Sequence, residues 1–458
     1  MRHYFYKDFL DMFPPGAGTA CACGSIHTTS TRTVIIGGTA LEESARWLVG
    51  TLGARARAWV LSDENTEAAA GARWKALAEP ARIASTILPG HPKPHPTEAL
   101  VNDLTTKARE SSPDVLVAVG SGVISDLVKR VSLLLDVPNW CVATAPSVDA
   151  YPSATSALLV NGFHSAVPAR VSETIVCDLG VIGKAPREMF LAGAGDLLAK
   201  FLAHLDWNVA RIVAGEWYCP RVAAIALGSA RSALAAAKVL DDDPSEATRT
   251  LIDAALCSGF AMQATGNSRS AASAEHMVAH FWETTHAVKV ERWDLHGVLA
   301  GVASAIMLHV CRRFYGSLES FEPDIPSRLA ALDAERPWRE TVEEGLRPFM
   351  GKVNTEMAGR ELGRAELARR LERFRNGKAE ILDTARRMLD EVEAAVGMLD
   401  GLGFPFDTRP LGIERELILL PLRNVRLLRR RYSTFDLAYE LGLEDRLRGA
   451  ARDYIEKS

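Results

Sequence analysis

The chain has 458 residues, 48% hydrophobic and 24% charged, with a formal net charge of -4. That length is too great for one small core and favours two domains, and the near-neutral charge argues against nucleic acid or an anionic membrane as the main partner. Seven dispersed cysteines without a CxxC pair fit reduced thiols, and MRHYFYKDFLDMFPPG has no apolar run of signal-peptide length, so a cytoplasmic protein is expected.

Residues 1–30 read as an extension, because Pro14-Pro15-Gly16 and the Thr/Ser stretch Thr28 to Thr31 break any period. It holds the one close cysteine pair, Cys21 and Cys23, a CxC that is by itself a weak metal or redox signal. From residue 33 apolar strands alternate with helical spacing. TVIIGG precedes a helix over Leu41 to Leu52, and ARAWVLSDENT precedes one over Thr97 to Arg109. DVLVAVGSG leads into VISDLVKRVSLLL, and NWCVATAPS and ETIVCDL follow. This alternation predicts a mainly parallel α/β domain over 31–187, with polar or glycine-rich residues at the C-terminal strand ends, where such folds bind ligands. After Pro186 strand signals fade, and 188–458 reads as all-helical. Its apolar stretch Val222 to Leu240 carries Arg231 and Lys238 and is expected as a buried helix, not a membrane span. The basic run Arg426 to Arg431 is expected on a solvated or salt-bridged helix face.

Three features carry chemistry. In VLVAVGSGVISDLVKR a strand meets a helix through Gly120 and Gly122, which let the backbone approach a group at the helix N-terminus; a pyrophosphate suits that place, although such turns also occur without a ligand. Asp63 ends a strand in WVLSDENT, where it suits either an adenosine ribose or a helix N-cap with Thr66. AEHMVAHFWE puts His276 and His280 on one helix face, with His296 in DLHG twenty residues beyond His276. With Asp196, read in GAGDLLAK as starting a helix, these make either an open divalent site or a set of core and capping residues.

In order along the chain, VAVGSGVISDLVKR, ATAPSVDAYPSATSALLVNGF, CDLGVIGKAPREMFLAGAGDLLAK, LDWNVARIVAGEWYC, SAEHMVAHFWE, LHGVLAGVAS and RRRYSTFDLAYELG resemble the bacterial sn-glycerol-1-phosphate dehydrogenase family. That family lies within the iron-alcohol-dehydrogenase and dehydroquinate-synthase-like superfamily. The resemblance spans roughly 35 to 440. It implies a Rossmann-like domain binding NAD(H) or NADP(H), followed by a helical domain binding one divalent ion (zinc, nickel or iron). It implies Asp196, His276 and His296 as metal ligands and Gly120, Ser121, Gly122, Val123 and Ile124 around the pyrophosphate. Thr144, Ala145, Pro146, Ser147 and Ser153 would contact the cofactor further along, and Asp63 its ribose. Asp149 would bind substrate hydroxyls, and His280 would sit beside the substrate in a proton relay, with Asp196 also facing the substrate.

The implied reaction is reduction of dihydroxyacetone phosphate to sn-glycerol 1-phosphate, in a homodimer or larger homo-oligomer. The alternatives are a dehydrogenase of another polyol, ketone or aldehyde, and a dehydroquinate-synthase-like cyclase. Three departures from the family pattern bear on this. Ala150 stands where the family has glycine, which would strain the loop if φ there is positive. His164 stands where the family tends to place lysine, and Ser125 replaces a frequent asparagine.

Overall fold

The computed structural model describes residues 6–335 and 337–457. The chain forms two compact units. The first contains the chain through Val160, His164–Leu197 and Ala224–Ala271; the second contains Asn161–Phe163, Leu198–Ala223 and the chain from Ala272 onward.

The first unit opens with the helix Tyr6–Met12 and a short antiparallel pair, β1 (Thr19–Ala20) and β2 (Ile26–His27). Six strands then form one sheet: β3 (Thr33–Gly37), β4 (Arg57–Asp63), β5 (Arg82–Leu88), β6 (Val115–Gly120), β7 (Asn139–Ala143) and β10 (Thr174–Asp178). Their order is β3-β10-β7-β6-β4-β5, and every pairing is parallel. Parallel strands need crossover connections that cover both faces, so the central strands are apolar on both sides. Along β6, Val117 and Val119 join one core with Leu41, Leu48 and Val60, while Leu116 and Ala118 join another with Trp59, Leu127 and Val131.

The five strands expected from the pattern are all present. Two features escaped it. β5 is an edge strand with a mixed burial pattern and carries Arg82, Ser85 and Thr86, so its apolar alternation is weak. The second is the hairpin of β8 (Thr155–Val160) and β9 (Phe163–Pro168). Its turn, Asn161-Gly162, has φ of 51° and 75°, the signature of an Asn-Gly hairpin turn that the sequence does display. The extension also holds more order than its composition suggests. Phe9 stacks on Phe260 with ring centroids 5.2 Å apart, and Gln263 receives the Thr29 hydroxyl (2.7 Å) and the Ser30 N–H (3.0 Å) on its amide oxygen.

Among the described residues every element after β10 is helical. In the second unit the helices Ala274–Thr285, His296–Gly316, Arg364–Gly401, Arg415–Leu428 and Thr434–Leu441 carry the core. His296–Gly316 is long and apolar enough to cross a membrane, but 72% of its apolar window is buried inside the protein. The basic run is only partly on a helix face: Arg426, on Arg415–Leu428, donates its Nε to Asp436 (3.1 Å), whereas Arg429 to Arg431 follow the helix end, and Arg431 donates to the Ala272 carbonyl (2.6 Å).

Asp253, on the helix Pro244–Thr265, accepts the Tyr6 N–H at 2.8 Å. Burial pushes its carboxyl up to about 6. The folded state therefore keeps a proton that the unfolded chain has already lost, so stability from this group falls as pH rises from about 4 to about 6. Asp253→Asn is expected to flatten that slope and to raise stability near pH 7, as read from urea midpoints across the range.

Candidate active site

Because the six strands are parallel, their C-terminal ends share one edge. The chain leaves β4 outward to β5 and leaves β6 in the other direction to β7, so a topological switch lies between β4 and β6. Asp63 ends β4, Gly120 ends β6, and Thr144 to Ser147 follow β7 at that same edge. At Gly120 an added Cβ would lie 2.6 Å from the Cβ of Ile124, so only glycine permits this turn. Ser121 occupies the N-cap of the helix Gly122–Leu135 without a side-chain cap, so the first-turn N–H groups are not covered by their own capping side chain. Asp63 does act as a cap: its carboxylate accepts the Thr66 N–H (2.9 Å), and its own N–H donates to the Thr66 hydroxyl (3.0 Å). Ser153 is also engaged within the chain. Its hydroxyl accepts from Lys129 Nζ (3.0 Å) and donates to the Thr155 carbonyl (2.7 Å).

The loop after β7 is held by close approach. Gly193 lies so near it that an added Cβ would fall 1.8 Å from the Pro146 carbonyl oxygen; at Gly259 the added atom would fall 2.4 Å from the Asp149 carbonyl oxygen. Gly193 explains a correction. Asp196 does not start a helix; it lies inside Arg187–Val213, and the preceding glycine serves helix-to-loop packing rather than helix initiation. Asp196 Oδ2 accepts the Asp149 N–H (3.2 Å), and Asp149 Oδ2 accepts the Ser258 hydroxyl (2.6 Å). Both carboxylates are buried, at 1% and 5% exposure. Ala150 is not among the described non-glycine residues with positive φ, so it carries no left-handed strain. Lys129, wholly buried, clamps the loop: Nζ donates to the carbonyls of Ala150 (2.9 Å) and Thr155 (2.8 Å) and pairs with Asp126 (2.8 Å). His164 lies half-buried on β9, and Ser125 lies buried on the helix after Gly122.

In the second unit three imidazoles converge. His276 and His280 sit one turn apart on Ala274–Thr285, and His296 opens His296–Gly316. Ring centroids are 6.2 Å apart for His276 and His280, and 5.3 Å from each of these to His296. Each Nδ1 faces a carboxylate: His276 meets Glu275 (2.9 Å), while Glu283 takes His280 (2.8 Å) on one oxygen and His296 (2.9 Å) on the other. Neutral rings held this way donate from Nδ1 and keep Nε2 as an acceptor, the arrangement of imidazoles that ligate metals. His276 and His296 offer ring nitrogens within 4.8 Å of one another. The second oxygen of Glu275, Oε2, is buried without a hydrogen-bond partner, the kind of atom that a nearby cation or water satisfies.

Burial pushes His280 down to about 3 against the pull of Glu283, so the ring is neutral at ordinary pH. Burial alone would raise the Glu283 carboxyl, but His296 and His280 beside it hold it well below the usual range. The helix start is pinned by Asp206, which accepts the Ser273 hydroxyl (2.5 Å) and the N–H (2.8 Å) and hydroxyl (2.7 Å) of Thr434. Sequence reasoning missed Glu275, Glu283, Ser258, Lys129, Gly193 and Gly259. The first two had a signal, since each stands beside a histidine or one turn from it on the same helix.

The fold agrees with the comparisons. Residues 35–186 match the family model described as iron-containing alcohol dehydrogenase. Two relatives are named glycerol-1-phosphate dehydrogenase (NAD(P)+). The one from Geobacillus stearothermophilus is 33% identical over 266 residues, 55% of this chain and 65% of the relative. The one from Bacillus licheniformis is 30% identical over 307 residues, 65% of this chain and 75% of the relative. The chain thus spans just under two thirds of the length of the Geobacillus relative. A crystal structure of a probable glycerol dehydrogenase from Sinorhizobium meliloti shares the fold, with a TM-score of 0.59 at 17% identity, covering 92% of this chain and 98% of that one. The chain belongs to the iron-containing alcohol dehydrogenase family.

Gly193→Ala is expected to displace the Pro146 backbone and to destabilise the protein by about 1–3 kcal/mol, the usual cost of overpacking. Denaturant unfolding reads the effect. An unchanged midpoint would mean that the helix and loop separate at no cost.

Proposed function

We propose that this chain is a metal-dependent oxidoreductase that uses NAD(H) or NADP(H) to reduce dihydroxyacetone phosphate to sn-glycerol 1-phosphate. The observation that carries the reading is the cluster of three imidazoles, each oriented by a carboxylate through Nδ1. The glycine turn at the sheet's switch point and the names of the relatives support it. We assign Asp196, His276 and His296 as ligands of one divalent ion (zinc, nickel or iron). The pyrophosphate of the cofactor is assigned to the first-turn N–H groups after Gly120, and the rest of the cofactor to Asp63, Thr144 to Ser147 and the Ser153 segment.

When bound, the ion supplies Lewis-acid polarisation of the substrate carbonyl and the reduced nicotinamide supplies the hydride. Asp149, fixed by Ser258 and through its own N–H by Asp196, accepts hydrogen bonds from substrate hydroxyls. Glu283 holds the rings of His280 and His296 in one orientation. His280 Nε2, the acceptor end of a neutral ring, takes the hydroxyl proton in the oxidative direction; in the reductive direction the same atom returns a proton drawn from solvent.

One observation favours a second reading, a dehydrogenase of an unphosphorylated polyol: His164 stands where the family tends to carry lysine, and a neutral imidazole holds a phosphate dianion less strongly. The test is oxidation of NADH and NADPH by dihydroxyacetone phosphate and by dihydroxyacetone, with zinc, nickel and iron. On the first reading kcat/KM favours the phosphate ester by about 10- to 100-fold, the value of one or two charge-assisted hydrogen bonds. Preference for the plain ketone selects the second reading, and no oxidation of either cofactor with any ketone overturns both.

Variants divide the roles further. His276→Ala or His296→Ala is expected to lose the ion and nearly all turnover, whereas His280→Ala keeps the ion and turns over slowly. Glu283→Gln should weaken metal affinity by about 10- to 100-fold, measured by competition with a chelator. Retention of full affinity would deny Glu283 its orienting role.

A further inference from the structure

We propose that Cys21, Cys23 and His27 form a second metal site, separate from the histidine cluster, that takes a soft divalent ion such as zinc and staples the N-terminal segment to the helix Pro244–Thr265. The β1–β2 turn gathers the three donors. Gly24, at φ 84°, donates to the Cys21 carbonyl (3.0 Å), and the Cys21 N–H donates to the Ser25 carbonyl (3.0 Å). This folds the two cysteines and the histidine onto one side, with the Sγ atoms and the ring nitrogen within 4.8 Å of one another. Cys23 Sγ stands 3.3 Å from His27 Nε2. Two ligands on a tetrahedral zinc, with bonds of about 2.3 Å to sulfur and about 2.0 Å to nitrogen, stand roughly 3.5 Å apart. The pair is thus at ligand spacing.

The ring is set for the task. His27 is fully buried, and its Nδ1 donates to the Ala264 carbonyl at 2.7 Å, which leaves Nε2 as the atom turned toward the thiols. That is the outer hydrogen bond by which proteins fix a metal-binding imidazole. Phe13 packs its edge on the same ring, centroids 5.1 Å apart. No described cysteine is in a disulfide. Two thiolates neutralise a dication, and the sulfur-rich set selects zinc over magnesium or calcium.

The site has a structural consequence. Ala264 and Gln263 lie on the helix that also carries Ser258 and Gly259, the residues that fix Asp149. An ion on the hairpin would add a rigid link between the N-terminal segment and the support of that carboxylate.

The experiment uses the full chain, purified reduced, stripped and reloaded with cobalt(II). Thiolate ligation gives an intense sulfur-to-cobalt charge-transfer band in the near ultraviolet, which a site of imidazoles and carboxylates cannot produce. The band is expected in the wild type and in the His276→Ala/His296→Ala double variant, and absent from Cys21→Ser/Cys23→Ser. By elemental analysis after zinc loading, the serine variant should lack one equivalent of zinc per chain that the double alanine variant retains. A wild type without the band overturns the proposal whether or not the serine variant folds. So does a band that survives Cys21→Ser/Cys23→Ser. Because the double alanine variant removes the other proposed site, failure of that assignment leaves this result readable.

Discussion

A carboxylate taken out of water must find donors or neutralise, and this protein buries several where its chemistry is expected. Asp149, Asp196, Asp206 and Glu275 are each at most 5% exposed. Each is tied to a backbone N–H, a hydroxyl or an imidazole, and each bond fixes a direction as well as a charge. Glu283 extends the same logic to two rings at once. Rotation of either imidazole would take from a partly buried Glu283 oxygen the ring N–H that it accepts, so each ring is held by the carboxylate oxygen it faces.

In the first unit the equivalent constraint is steric. Parallel strands put Asp63, Gly120 and Thr144 at one edge, and close packing then shapes the loop that follows. Gly193 and Gly259 press helices against main-chain oxygens of that loop at distances no side chain allows. The loop is therefore cast between backbones, and Asp149 inherits its position from them.

Much of this was legible in the sequence. Strand and helix alternation over 31–187 gave the sheet, because buried parallel strands are continuous apolar runs. The spacing of His276 and His280 placed both on one helix face. What stayed hidden follows from physics that periodicity does not encode. β5 is half-exposed at an edge, so its pattern is diluted. The glycines before Asp196 read as helix initiation because a glycine used for close approach looks the same as one used at a terminus. Nothing in the spacing of the helix after Gly122 marks Lys129 as buried, and only the fold shows it fully enclosed with four oxygen partners. The Asn161-Gly162 turn, by contrast, has a plain local signature, because its two residues are the types that adopt positive φ.

That enclosed ammonium has an evolutionary corollary. Two of its hydrogen bonds go to the main-chain oxygens of Ala150 and Thr155, atoms that every amino acid possesses. Those two bonds are indifferent to the side chains at 150 and 155, whereas the bond to the Ser153 hydroxyl is not. A change of side chain at either of those two positions leaves both bonds in place, so the outline of the segment can outlast its original residues at 150 and 155 while Tyr151 and Ser153, enclosed between them, stay tied to their partners.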